Sequence, residues 1–172
     1  MKFRFPIVII DEDFRSENTS GLGIRALAQA IEVEGFEVVG VTSYGDMSQF
    51  AQQQSRASAF ILSIDDEEFS HGADLDPVVL NLRNFIDEVR RKNSDVPIYI
   101  YGETKTSRHL PNDILRELHG FIHMFEDTPE FVARHIIREA KSYLDGLAPP
   151  FFKALMDYAQ DGSYSWHCPG HS

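Results

Sequence analysis

Short, continuous apolar runs recur along the chain, and stretches with helical spacing of apolar residues lie between them. Runs of this length, bounded by turn or polar residues, predict strands that are buried on both faces, as in a parallel sheet. Five strands are predicted in this way, over residues 7–10, 36–41, 59–64, 96–101 and 121–125.

Apolar residues three or four positions apart predict the helices between these strands. The clearest helix begins at Asp76-Pro77, where Asp76 can cap the helix and Pro77 fits its first position. It ends in the basic run 90–92, which suits the negative end of the helix dipole. Further helices are predicted over residues 22–34, 47–54 and 111–118 and from Pro129 onward.

Strand and helix therefore alternate five times, mostly with short connections. Because parallel strands need helical crossovers, the pattern predicts an α/β fold, a five-stranded doubly wound parallel sheet of flavodoxin or receiver type over residues 1–128. The helix from Pro129 and a second helix led by Pro149-Pro150 form a predicted helical linker over residues 129–172.

The charge balance restricts the possible partners. The 172 residues carry a formal net charge of −11, with 27 Asp and Glu against 16 Lys and Arg. Such a charge repels polyanions, so we expect no nucleic-acid partner and no anionic membrane surface. No apolar run approaches the ~20 residues of a membrane span. The single cysteine, Cys168, excludes an internal disulfide, and the predicted localisation is cytoplasmic.

The predicted carboxyl ends of the strands, where doubly wound folds bind ligands, are acidic. Asp11 and Glu12 follow the first strand, Asp65 follows the third and Thr104 follows the fourth. This layout resembles the receiver domain of response regulators, in which the position of Asp65 accepts a phosphoryl group. Clustered carboxylates could also hold Mg²⁺ through their oxygens.

The resemblance to a working receiver fails after the fifth strand. A receiver carries a lysine there that neutralises the phosphoryl group, whereas this chain has Glu126 and Asp127. Acidic residues at helix starts also complement helix dipoles without any chemistry. We therefore interpret Asp11, Glu12, Asp65 and Thr104 as a pseudo-receiver cluster that does not accept phosphate.

Three other motifs give weaker signals. The run 21–26 fits the dinucleotide pattern G-x-G-x-x-A, but about ten residues separate it from the first strand, where the motif needs a tight turn. Residues 16–20 are too loosely spaced for a flavin phosphate loop. His167, Cys168 and His171 lie close together without a fourth ligand for zinc. We predict that this chain itself binds no metal and no cofactor.

Aromatic and apolar residues concentrate after residue 150. So short a helix and tail cannot bury these side chains alone, and we predict that they form an intersubunit or interdomain contact surface. The residues of this predicted surface are Phe151, Phe152, Leu155, Tyr158, Trp166 and His171.

The last residues carry the most specific pattern. A helix led by Pro149-Pro150 is followed by the aromatic Trp166 and then by the run 168–171, Cys-Pro-Gly-His. This order resembles the entry into the large domain of the bacterial pyridoxal-phosphate-dependent ornithine/lysine/arginine decarboxylases, in which a Gly-Gly pair follows. The resemblance implies that the chain is the front part of such an enzyme, without its catalytic body.

In that family the front domain is called the wing. The resemblance implies that the wing does no chemistry and helps dimers to assemble into larger homo-oligomeric rings, typically decamers. Pyridoxal phosphate belongs to the catalytic body, which converts arginine, lysine or ornithine to an amine and CO₂. That reaction consumes a proton, which suits a role in acid stress. The family's cofactor lysine lies in a Ser-x-His-Lys context, which is shared by none of Lys2, Lys92, Lys105, Lys141 and Lys153.

Two other interpretations stay open. A stand-alone pseudo-receiver would be a signalling or binding module, but it leaves the aromatic tail unexplained. A small flavoprotein would need a tight phosphate loop, which the sequence lacks. We interpret the chain as a wing domain followed by a linker, and the sequence does not distinguish arginine, lysine and ornithine as the substrate of the parent enzyme.

Overall fold

The computed structural model describes residues 5–43, 57–64 and 76–147. The strands in these ranges are β1 (Ile7–Ile10), β2 (Val38–Val41), β3 (Ala59–Ser63), β4 (Ile98–Gly102) and β5 (Gly120–His123). The helices are α1 (Thr19–Val33), α2 (Asp76–Lys92), α3 (Thr104–Ser107), α4 (Asn112–Leu115) and α5 (Pro129–Leu147). The helix predicted over residues 47–54 lies outside the described residues.

The five strands form one parallel sheet in the order β2-β1-β3-β4-β5. The register places Ile9 opposite Ile61 and Ile61 opposite Tyr99, so these three side chains share one face of the sheet. The strand order reverses direction at β1, as in flavodoxin-like and receiver folds. The predicted fold class is therefore confirmed.

Helices cover both faces of the sheet because its central strands are apolar on both faces. The ring of Phe60 on β3 packs edge-on against Phe85 of α2, with the ring centroids 5.6 Å apart. The ring of Tyr99 on β4 packs against His135 of α5 at 5.9 Å. Phe60 is in register with Ile98, the neighbour of Tyr99 along β4, so the two contacts lie on opposite faces. Helices α2 and α5 therefore enclose the sheet from opposite sides.

Helix α5 shares the hydrophobic core with the sheet. Its apolar side is buried, and it contacts α1 on the same face of the sheet. The buried residues on that side are Val132, Ala133, Ile136, Ile137, Ala140, Tyr143 and Leu144. The first helix of the predicted linker thus packs against the sheet, and the boundary at residue 128 between wing domain and linker stays a prediction. Residues 148–172 lie outside the described residues.

A half-buried guanidinium joins the end of α2 to the two segments that lead into β4 and β5. Arg90 donates from Nε to Glu117 Oε2 at 2.8 Å and from Nη2 to the Glu117 carbonyl at 2.9 Å. Its Nη1 donates to the carbonyl of Val96 at 2.8 Å and to that of Asn93 at 3.3 Å. Because the Arg90 side chain is only 16% exposed, these charge-assisted hydrogen bonds are shielded from water. They fix the approach of the chain to β4 and β5.

Two buried tyrosines should respond oppositely to removal of the hydroxyl. Within the described residues, the Tyr99 hydroxyl is buried and has no hydrogen-bond partner, and burial raises its pKa. Tyr99→Phe should therefore raise the free energy of unfolding by about 1 kcal/mol, since an unsatisfied buried hydroxyl is costly. The Tyr143 hydroxyl donates to Asn93 Oδ1, and Tyr143→Phe should lower the free energy of unfolding by about 1 kcal/mol. Urea denaturation of both variants measures the difference, and a loss of stability in Tyr99→Phe would contradict the assignment.

His119 should make the domain less stable in mild acid. Burial and the positive charge of Arg90 lower its pKa, while Glu139 and Asp95 oppose this shift and His135 adds to it. The unfolded chain then binds a proton that the folded chain does not, so stability is full above the ordinary histidine pKa of about 6.5 and falls as the pH drops below it.

His119→Asn removes the titrating group. An asparagine oxygen can still accept the hydrogen bond that Ile98 N donates to His119 Nδ1. We expect the loss of unfolding free energy between pH 7.5 and pH 5.5 to be smaller in this variant than in the wild-type chain. His109→Asn makes the same substitution at another exposed histidine and is the matched control. Equal pH dependence in all three proteins would refute the role of His119.

Candidate functional site at the carboxyl edge of the sheet

The predicted pseudo-receiver cluster is only partly assembled in the described structure. Asp11 directly follows β1 and is 5% exposed, and its Oδ1 accepts a hydrogen bond from Asp13 N at 2.8 Å. Glu12 is exposed, Thr104 begins α3 after β4, and Asp65 lies outside the described residues. Asp11 and Thr104 therefore share one edge of the sheet, but β3 lies between their strands, about 10 Å across.

The hydroxyl of Thr104 is engaged within the protein. It donates to Glu126 Oε2 at 2.7 Å, and it lies 3.1 Å from His123 Nδ1. Because a hydroxyl has one proton to donate, His123 is the donor in the second contact, with its proton on Nδ1. The chain His123–Thr104–Glu126 thus links the ends of β4 and β5. The hydroxyl that a receiver uses for phosphate is held by a carboxylate instead.

The turn between β5 and α5 is fixed by hydrogen bonds to both of its sides. Asp127 Oδ2 accepts from the backbone N–H of His123 at 2.8 Å, and Met124 N donates to the Gly102 carbonyl at 2.8 Å. Between them Phe125 adopts a φ of +66°, a left-handed conformation that is rare for an aromatic residue. Its ring is 64% exposed. The sequence analysis missed Phe125, because nothing in the local pattern indicates a positive φ.

The loop between β1 and α1 is closed by its own groups. Asn18 Oδ1 caps α1 by accepting from Gly21 N at 2.8 Å, which starts the helix at Thr19, three residues before the predicted start. Arg25 Nη1 donates to the carbonyls of Phe14 and Ser16 at 2.8 and 2.7 Å. A Cβ at Gly21 would lie 2.1 Å from the Ser16 carbonyl oxygen. Gly21, the first glycine of the G-x-G-x-x-A pattern, therefore allows the loop to pack closely against α1.

Metal and membrane signals are absent from the part of the chain that the structure describes. No group of three or more His, Cys, Asp or Glu side chains in residues 5–43, 57–64 and 76–147 is placed to hold a metal ion. Within the same ranges no helix combines the length and the apolar character needed to cross a bilayer. The predicted contact residues Phe151, Phe152, Leu155, Tyr158, Trp166 and His171 lie outside the described residues.

The described residues do not fit pyridoxal phosphate. An enzyme positions the reactive atom of this cofactor in a site that excludes competing reactions, with a lysine at its centre. Lys92 and Lys105 are exposed and Lys141 is half-buried, and Lys105 Nζ pairs with Glu103 at 3.1 Å. No lysine among the described residues is buried, so no chemical step is assigned to the cofactor in this chain.

Fold and site together define a receiver-like α/β domain whose carboxyl edge carries carboxylates where a receiver carries a lysine. The sequence profile of the Orn/Lys/Arg decarboxylase N-terminal domain matches residues 19–143. The chain therefore belongs to the Orn/Lys/Arg decarboxylase family, as an example of its N-terminal domain. The resemblance on which the sequence analysis relied is confirmed.

The relatives are much longer than this chain. It is 30% identical to lysine decarboxylase LdcA of Pseudomonas aeruginosa over 172 residues, which cover 98% of this chain and 22% of the relative. It is 29% identical to the biodegradative arginine decarboxylase of Escherichia coli, over 96% of this chain and 21% of the relative. The chain thus spans about a fifth of the length of the relatives that it matches.

Solved structures show the same relationship. Lysine decarboxylase A from Pseudomonas aeruginosa superposes with a TM-score of 0.71 at 30% identity, over 99% of this chain and 22% of that one. A receiver domain from Clostridium thermocellum superposes with a TM-score of 0.54 at 14% identity, over 80% of this chain and 95% of that one. At that identity the likeness to receivers concerns the fold alone.

The engaged Thr104 and the carboxylate of Glu126 predict that the chain does not accept phosphate. Incubation with acetyl phosphate and Mg²⁺ should leave its intact mass unchanged, because a phosphoryl group at this edge would meet like charge. A working receiver domain treated alongside is the positive control. A hydroxylamine-labile phosphoryl adduct that Asp65→Asn abolishes would show that the edge works as a receiver.

Proposed function

We propose that this chain is the non-catalytic N-terminal assembly domain, or wing, of a pyridoxal-phosphate-dependent decarboxylase of basic amino acids. The observation that supports the proposal most directly is the family match over residues 19–143 in a chain that spans about a fifth of its relatives. The relatives include lysine, arginine and ornithine decarboxylases, so the substrate class is a basic amino acid, converted to an amine and CO₂.

The described residues support a role outside the chemistry. At the carboxyl edge the Thr104 hydroxyl donates to Glu126 and Asp127 accepts from the backbone N–H of His123, and the described lysines do not fit the cofactor. When bound in the parent enzyme, the cofactor supplies the electron sink for loss of the substrate carboxylate. The wing would take no part in the reaction. It would hold the subunits together in a homo-oligomeric ring. We place the parent enzyme in the cytoplasm, where a proton-consuming reaction opposes acidification.

A domain exchange with a characterised relative tests the assembly role. The N-terminal fifth of Pseudomonas aeruginosa LdcA would be replaced by this chain, and a second variant would lack that fifth altogether. We expect the exchange protein to decarboxylate lysine and to sediment as an oligomer of the same size as LdcA itself. We expect the deletion variant to stop at a smaller oligomer.

The 172-residue chain alone provides the test of catalysis. With pyridoxal phosphate and lysine, arginine or ornithine it should release no CO₂, with intact LdcA as the positive control. A stoichiometric, borohydride-trapped adduct on one of its lysines would contradict the non-catalytic assignment. An exchange protein that sediments like the deletion variant would contradict the assembly assignment.

A further inference from the structure

The exposed side of α5 carries an unusual stripe of residues. Phe131, Arg134, Arg138 and Lys141 follow at intervals of three, four and three, which places them along one side of the helix. We call these four residues the α5 stripe. Phe131 is 69% exposed, the two arginines are exposed and Lys141 is half-buried, whereas the opposite side of α5 lies in the core.

The stripe concentrates positive charge on a chain whose net charge is −11. Within the described ranges Arg134 and Lys141 have no ion pair, while Arg138 lies 4.0 Å from Glu139 (Nε to Oε1) and 3.1 Å from His135 (Nη2 to Nδ1). Glu34 and Asp145 line a surface depression together with Arg134, Arg138 and Lys141, but among the described residues neither acid forms an ion pair with these three cations. An acidic surface of a partner would provide such pairs.

The segment that immediately precedes the stripe has the opposite character. The β5–α5 turn and the first turn of α5 expose the acidic side chains of Glu126, Asp127 and Glu130, and the turn also exposes the ring of Phe125. Hydrogen bonds of Asp127 and Thr104 hold this turn on both sides, next to the left-handed backbone of Phe125. A strained backbone that presents an exposed aromatic ring is typical of a binding surface.

These two halves are complementary to each other, and both lie on residues 125–141. We propose that this surface is a two-fold contact with a second copy of the same chain, in which the two α5 helices cross antiparallel midway between Glu130 and Arg134. This inference rests on the proposed assembly function and specifies the surface that performs it. In a two-fold contact every pair occurs twice, so a surface with both charges on one segment is self-complementary.

The spacing along the segment matches this arrangement. With the crossing point midway between Glu130 and Arg134, Arg134 faces the partner's Glu130. Arg138 lies about six residues, or about 9 Å of helix, beyond the crossing point. In an antiparallel crossing it therefore extends towards the partner's β5–α5 turn, which carries the partner's Glu126 and the partner's Asp127. Phe131 lies beside the two-fold axis and packs against the partner's Phe131. At this central position the contact excludes water most completely.

The two kinds of residue have different roles in this contact. Exposed charge pairs fix the register and speed association, whereas buried aromatic anchors provide most of the affinity. Phe131→Asp should therefore weaken self-association most, by about 10-fold or more in the dissociation constant. Since Phe131 is mostly exposed, this variant should keep the melting temperature of the wild-type chain.

A charge exchange within α5 tests the register. Sedimentation velocity of the 172-residue chain over a range of concentrations measures self-association at fixed salt and pH. Arg134→Glu and Glu130→Arg should each weaken the dimer, because each places like charges opposite each other. The double variant should restore it, since both charges are then exchanged and the net charge is that of the wild-type chain.

Matched controls on α2 separate the contact from net charge. Arg91→Glu and Glu88→Arg make the same charge changes at exposed positions on the opposite face of the sheet. We expect both controls to dimerise like the wild-type chain. Circular dichroism melts of every variant show whether its fold is intact.

Three outcomes would overturn the inference. The first is a wild-type chain that stays monomeric at all concentrations, and the second is a dimer that Phe131→Asp and the charge variants leave unchanged. The third is a monomer whose melting temperature falls in Phe131→Asp, which would mean that the chain itself covers this face. The proposed assembly function has a separate test in the exchange protein, so a successful exchange with an insensitive α5 would place the assembly surface elsewhere.

Discussion

Burial of β1, β3 and β4 on both faces is the constraint on which the rest of the domain depends. Ile7–Ile10 and Ile98–Gly102 are buried along their whole length, so the sheet must have helices on each side. Helices on both sides of a parallel sheet in turn require the crossover connections that set the strand order. Helices α1, α2 and α5 lie against the sheet because the apolar side chains of its strands must be buried away from water.

The parallel arrangement of the strands also brings several polar residues to one edge of the sheet. The carboxyl ends of parallel strands meet there, and Asp11, Thr104 and Glu126 lie just beyond three of these ends. In this domain the groups at β4 and β5 satisfy one another, as the contact between Thr104 and Glu126 shows. At the ends of β4 and β5, the edge that binds substrates or phosphate in other proteins of this architecture carries a polar network of the domain's own side chains.

Fold and function separate clearly in this protein. Its sheet superposes on receiver domains at low sequence identity, while its sequence belongs with decarboxylases. The difference lies in single residues, because Glu126 and Asp127 put negative charge where a receiver needs a cation. A widely used fold therefore indicates the position of a site and leaves its chemistry to the side chains present.

Periodicity in the sequence determined the existence and type of the strands and long helices, because apolar spacing reflects contacts of neighbouring residues with one core. The short pattern at residues 168–171 indicated the family. Only the tertiary structure showed the hydrogen bonds between Arg90 and Glu117 and between Thr104 and Glu126. It also showed the left-handed backbone of Phe125 and the packing of α5 against the hydrophobic core. The two side-chain contacts join residues 27 and 22 positions apart, which meet only after the strands have taken their order. Local patterns cannot encode such contacts, since they depend on which strands become neighbours.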